Sequence, residues 1–261
     1  MLLTVFGALL AGCGGGGTDI GSDTPASVSV SGTAAIGQAV AAQPVNAICS
    51  DGKHYTSINP SSSYGHFAFR LEAGALPCAL EIKTGQSYSL HGFATQAGTA
   101  NVTPLTDLAL ALNNATHDWY AGLGSPDAAT LEAIAGQLDQ LAADLKDKLV
   151  AANFGAASEL APLDIFNGAF EVGDNADQLL DAIGQAVVNS AHPDYPALRQ
   201  VLLDNTSASL PQAPADYAYD DPNVDPGLSI GGTTIVVTPG NTGCACVTGI
   251  HLGTVISVSG H

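Results

Sequence analysis

Positive charge is what this chain has least of. Six Lys and Arg stand against 24 Asp and Glu in 261 residues, a formal net charge of −18. A phosphate-backbone partner needs a basic stripe, so nucleic acid is excluded as a partner. Long apolar runs are also missing. Residues 2–10 form the longest such run near the start, far short of the ~20 needed to span a bilayer. Phosphate-cradling Gly-x-x-x-x-Gly-Lys and metalloprotease His-Glu-x-x-His patterns do not occur, nor does Gly-x-Gly-x-x-Gly opening a helix. No helical Glu-x-x-His is present, so the helices lack the usual signature of a di-metal site. These gaps remove several enzyme classes, and no cofactor is expected.

The charge that is present is unevenly placed. Residues 103–210 hold fifteen acids against Lys146, Lys148 and Arg199, and residues 233–261 hold no Asp, Glu, Lys or Arg. Such shifts, with the turn residues, divide the chain. An apolar leader over 1–12 is followed by a Gly-rich tether over 13–25. Residues 26–102 show period-two alternation: Phe67, Phe69 and Leu71 alternate with His66, Ala68 and Arg70. Val45, Ala47 and Cys49 share one strand face, and Cys78, Leu80 and Ile82 share another. Short strands between turn signals predict an antiparallel β-sandwich. Over 103–210 the period becomes 3.6. Thr103-Pro104 opens a helix that carries Leu105, Leu108, Leu112 and Trp119 on one face. Leu131, Ile134, Leu138, Leu141, Leu145 and Leu149 stripe a second. Helices over about 175–190 and 196–205 complete an antiparallel bundle. Residues 211–232 read as an acidic, Pro-rich linker, without the ligand spacing of a calcium loop. Residues 233–261 read as a C-terminal β-hairpin or meander. The expected fold class is therefore α+β.

Leu9-Leu10-Ala11-Gly12-Cys13 resembles the lipobox of bacterial lipoproteins. The resemblance implies a cleaved signal peptide, lipidation of Cys13 and a membrane partner through that lipid. Gly14, rather than Asp, after the Cys points to the outer membrane of the cell envelope. Several acyl chains satisfy the two-signal requirement for stable anchoring. An exported chain sits in an oxidising compartment, where cysteines pair. Cys49 and Cys78 both fall on inward strand faces, so a disulfide between them is expected. No His stands at ligand spacing from either, which argues against a metal there.

Four short segments carry a further resemblance. Val30-Ser31-Gly32, Gln43-Pro44-Val45-Asn46-Ala47 and Tyr64-Gly65-His66-Phe67-Ala68-Phe69 resemble the carboxypeptidase regulatory-like, or transthyretin-like, β-sandwich. Asn101-Val102-Thr103-Pro104-Leu105-Thr106 is similar to the junction that follows such a domain in proteobacterial lipoproteins. The resemblance implies a non-catalytic adhesive or scaffold role with an envelope or extracellular protein partner, and carries no active-site residue.

Two other function classes have residues to point to. Cys244, Cys246, His251 and His261 combine thiolate and imidazole, which suits copper or zinc. Their spacing matches no standard zinc pattern. Gly227-Leu228-Ser229-Ile230-Gly231 matches the Gly-x-Ser-x-Gly of a hydrolase elbow, but strand-like sequence follows where a helix is required, and no acid lies beyond Ser229.

Overall fold

The computed structural model describes residues 26–113, 119–124, 127–192 and 194–219, together with the strand backbones of 228–230 and 233–235. The α+β class is as expected. Seven strands open the described chain: β1 (Ser27–Thr33), β2 (Val45–Cys49), β3 (His54–Thr56), β4 (His66–Glu72), β5 (Cys78–Lys83), β6 (Ser89–Ala94) and β7 (Gly98–Thr99). They form two sheets, ordered β4-β1-β7 and β3-β2-β5-β6. In β4 the alternation decides the faces: Phe67, Phe69 and Leu71 are buried, and His66, Arg70 and Glu72 are exposed. These side chains meet Val45, Ala47, Leu80, Ile82 and Leu90 of the second sheet in one apolar core.

Cys49 and Cys78 face each other across the antiparallel β2–β5 pair, with Cα atoms 4.1 Å apart, and their sulfurs are bonded. The expected disulfide is present. A loop closed over a separation of 29 residues lowers the entropy of the unfolded chain by the equivalent of about 3–4 kcal/mol.

One pairing departs from the purely antiparallel reading. β7 runs parallel to β1, with Val30 opposite Gly98, and the chain continues alongside as far as the Ala34–Val102 bridge. The passage is tight. A Cβ on Gly32 would lie 1.8 Å from the Ala100 carbonyl oxygen, and one on Gly92 would lie 2.3 Å from that of Asn101. Only glycine leaves this room. The parallel segment delivers the chain to the first helix.

Seven helices follow among the described residues: α1 (Pro104–Ala111), α2 (Trp119–Gly122), α3 (Ala128–Ala135), α4 (Leu138–Ala151), α5 (Ala157–Leu160), α6 (Asn175–Val188) and α7 (Tyr195–Asp204). The stripe from Leu131 to Leu149 is buried as expected, but it belongs to two helices. Gly136 caps α3, and its N–H bonds to the Glu132 carbonyl; Gln137 then begins α4 without a side-chain cap. In α6, Leu179, Leu180, Ile183 and Val187 are buried. The placing of Trp119 on an apolar helix face falls outside the described side chains. None of the described helices is long and apolar enough to cross a membrane.

The second sheet is covered on both faces. Ala79 of β5 and Phe93 of β6 join the helical core, while their neighbours Leu80, Leu90 and Ala94 join the inter-sheet core. Sheet and helices therefore share a layer.

Residues 211–219, expected as extended linker, lie against the helices instead. Ala213 donates its N–H to the Ala152 carbonyl at 2.8 Å, and the Tyr217 and Phe154 rings are 6.0 Å apart. The apolar Ala213, Tyr217 and Tyr219 give this stretch a face to bury. Strands β8 (Leu228–Ile230) and β9 (Thr233–Ile235) pair antiparallel, so the hairpin begins within the expected linker range. Leader residues 1–12, Cys13 and its tether, and the tail residues Cys244, Cys246, His251 and His261 lie outside the described residues.

Candidate functional site

The junction at residues 101–107 builds the one extensive buried polar cluster among the described residues. Thr103 is the N-cap of α1: its hydroxyl accepts from the Thr106 N–H, and the Thr106 hydroxyl accepts from the Thr103 N–H at 2.9 Å. This reciprocal cap satisfies two helix-end donors. Pro104 follows at the first helical position, where it has no partner N–H to lose. The Thr106 hydroxyl also donates to the His91 carbonyl at 2.7 Å, which fastens α1 to β6.

One turn further on, Asp107 is 2% exposed. Burying a carboxylate is costly unless charge and hydrogen bonds compensate. Three side chains from two other elements do so. His91, on the helix-facing side of β6, donates from Nδ1 to Oδ1 at 2.6 Å. The Tyr195 hydroxyl donates to Oδ2 at 2.7 Å. Arg199 brings Nη1 to 3.3 Å of Oδ1, and the same nitrogen donates to the Ser89 carbonyl. Tyr195 and Arg199 are four residues apart on α7 and so share a face. The cluster joins β6, α1 and α7 through one carboxylate.

Aromatic rings close over it. Tyr120 stacks on His91 with centroids 5.9 Å apart, and Tyr88 lies 5.4 Å from Tyr195. Burial, with the Asp107 charge second, pushes the Tyr195 phenol well above its usual range, so it stays a donor. Burial first and Asp107 second raise Tyr88 as well. Burial also raises Tyr120, with Glu81 adding to it.

Asn101 makes the second arm. Its Oδ1 accepts from the Thr33 N–H at 3.2 Å, and its Nδ2 donates to the Gly168 carbonyl at 2.8 Å. The Thr33 hydroxyl donates to the Phe170 carbonyl. These bonds tie the segment between α5 and α6 to the first sheet.

Comparison with known protein families, curated proteins and solved structures finds no match.

The His91–Asp107 pair resembles half of a hydrolytic triad, in a crowded setting. Its Nδ1 is committed to Asp107, its ring is 2% exposed and one face lies under Tyr120. Asp107 in turn receives Arg199 and Tyr195, both from α7. Ser229 sits in β8 opposite Thr234, and β9 follows within the same hairpin; a nucleophile elbow would continue into a helix. Among the described residues no group of three or more His, Cys, Asp and Glu is placed to hold a metal. The Cys/His reading of the tail falls outside those residues.

Sequence reasoning singled out the 101–106 stretch as a junction and Thr103 as a cap. It missed His91, Tyr195 and Arg199. The available signal was the i, i+4 spacing of Tyr195 and Arg199, with Arg199 one of few bases in an acidic region.

Proposed function

We propose that this chain is a non-catalytic bacterial cell-envelope lipoprotein, anchored at the outer membrane through Cys13, that holds a rigid body toward an envelope or extracellular protein partner. On this reading residues 26–102 are a transthyretin-like sandwich and the helices a bundle docked on it. The observation that carries the proposal is the Asp107 cluster. It is the most elaborate polar arrangement described, and its donors join a strand to two helices. That is the chemistry of a structural rivet. The Cys49–Cys78 disulfide supports an exported location, because such bonds persist in oxidising compartments.

Metabolic labelling with a fatty acid tests the anchor. The full chain is expected to take up label and fractionate with the envelope, and Cys13→Ser to do neither; equal labelling of both would remove the anchor. In-cell cross-linking tests the role. A discrete adduct of the anchored chain, lost in Cys13→Ser, is the expected result, and an anchored chain that forms no adduct would count against a partner.

A further inference from the structure

Of the six basic residues, most are already engaged or apart. Lys53 pairs with Glu72, and Lys146 and Lys148 donate to the carbonyls of Ala161 and Ala208. Arg70 is exposed on β4, in the other sheet. The remaining two, Lys83 at the end of β5 and Arg199 on α7, line one open cleft of about 540 Å³. Gln86, Ser87, Ser89 and Gln200 line it too, and Tyr88 supplies a ring. A volume of this order suits a small molecule.

Arg199 is prepared for a ligand. Its side chain is 16% exposed, and the bonds it donates to described residues leave from Nη1, toward Asp107 and the Ser89 carbonyl. The contacts with Asp107 hold the guanidinium from behind. Nε and Nη2 make no bond to the described residues, so the planar fork retains donors for an oxyanion. The Lys83 side chain likewise has no hydrogen bond or ion pair to the described residues. Glu81 lines the cleft as well and opposes an anion, but the two bases outnumber this one carboxylate in the lining. Hydroxyl and amide side chains beside a tyrosine ring suit a hydroxylated body.

We propose that the cleft between β5, β6 and α7 binds a small hydroxyl-rich oxyanion, a sugar carboxylate or sugar phosphate, with Lys83 and Arg199 on the anionic group. The site is independent of the lipid anchor. In a chain this acidic, convergence of two bases on one cleft is the feature that overcomes the general repulsion of anions.

Calorimetric titration of the full chain in detergent with glucuronate, glucose 6-phosphate and neutral glucose tests it. Saturable binding of one or both anions is expected, with none for glucose, and the anion preferred identifies the source of the charge. Lys83→Gln is expected to weaken binding about tenfold, the effect of losing one charge-assisted contact. Lys83 is exposed and outside the Asp107 cluster, so this variant should fold even where an Arg199 variant does not. Absence of saturable binding by either anion up to roughly 10 mM would overturn the proposal. So would equal binding of glucose, or unchanged affinity in Lys83→Gln.

Discussion

Replacing Asp107 by alanine should destabilise this protein more than almost any other single polar change. The carboxylate accepts from His91 at 2.6 Å and Tyr195 at 2.7 Å, and balances Arg199 at 3.3 Å. Alanine leaves all three donors in place, one on the buried His91, one on the partly buried Tyr195 and the third on a guanidinium that is mostly buried. Removing one member of a buried ionic arrangement costs about 3–5 kcal/mol, because the remaining charge and donors lose their compensation. For a chain of this size each kcal/mol shifts Tm by about 2–4 °C, so a fall on the order of 10 °C is expected. Asp107→Asn keeps the shape and an acceptor but removes the charge. Its cost should be smaller, about 1–3 kcal/mol. Urea unfolding followed by circular dichroism gives both values directly. The partners add a second reading: Arg199→Gln should cost less in the Asp107→Asn background than alone, a coupling of about 0.5–3 kcal/mol. An Asp107→Ala variant within about 1 kcal/mol of the parent would refute the rivet, since an unremarkable substitution costs that much.

Two further outcomes test other parts of the fold. Gly92→Ala should destabilise by about 1–3 kcal/mol, because the new methyl meets the Asn101 carbonyl oxygen at 2.3 Å and Val102 Cγ2 at 2.9 Å. Gly184→Ala, in α6 with nothing within 4 Å, should stabilise by about 0.5–1 kcal/mol; the pair is compared by thermal melts, and a reversed order would refute the packing argument. Asp177 titrates above its unfolded value of 3.8 because burial disfavours its charge, with the neighbouring Asp181 and Asp174 adding to the shift and the Gly173 N–H opposing it. Its Oδ1 lacks a hydrogen-bond partner among the described residues. Between the unfolded and the raised folded value the native state holds more protons, so this contribution to stability is present at low pH and is lost as pH rises through that window. Asp177→Asn should therefore flatten the fall in unfolding free energy on going up from about pH 4 in urea titrations; an unchanged slope would count against it.

Local pattern carried much of the fold. The alternation in β4 gave its faces because a strand buries every second side chain, and Thr103-Pro104 marked the start of α1 because a helix end needs that chemistry. Pattern failed where a second layer intervened. Ala79 reads as the outward side of β5, yet helices cover it. The apolar stripe from Leu131 to Leu149 is continuous in sequence, so periodicity did not reveal the break at Gly136. The partners of Asp107 lie 16, 88 and 92 residues away, and no window of local sequence brings them together. The cleft likewise joins Lys83 of one element to Arg199 of a distant one. Cys49 and Cys78 were legible because each sits on an inward strand face, and two such faces meet in a core.

The sheet covered on both sides has a consequence for how the chain can be cut. A boundary drawn at residue 102 follows the change of period, but it passes through an interface. The front half alone would expose Phe93 and Ala79 to water and leave His91 without Asp107. The back half alone would lose the wall against which α1, buried along its whole length, is packed. Recombination could not exchange either half as a cassette, and the two halves are expected to be inherited as a single block.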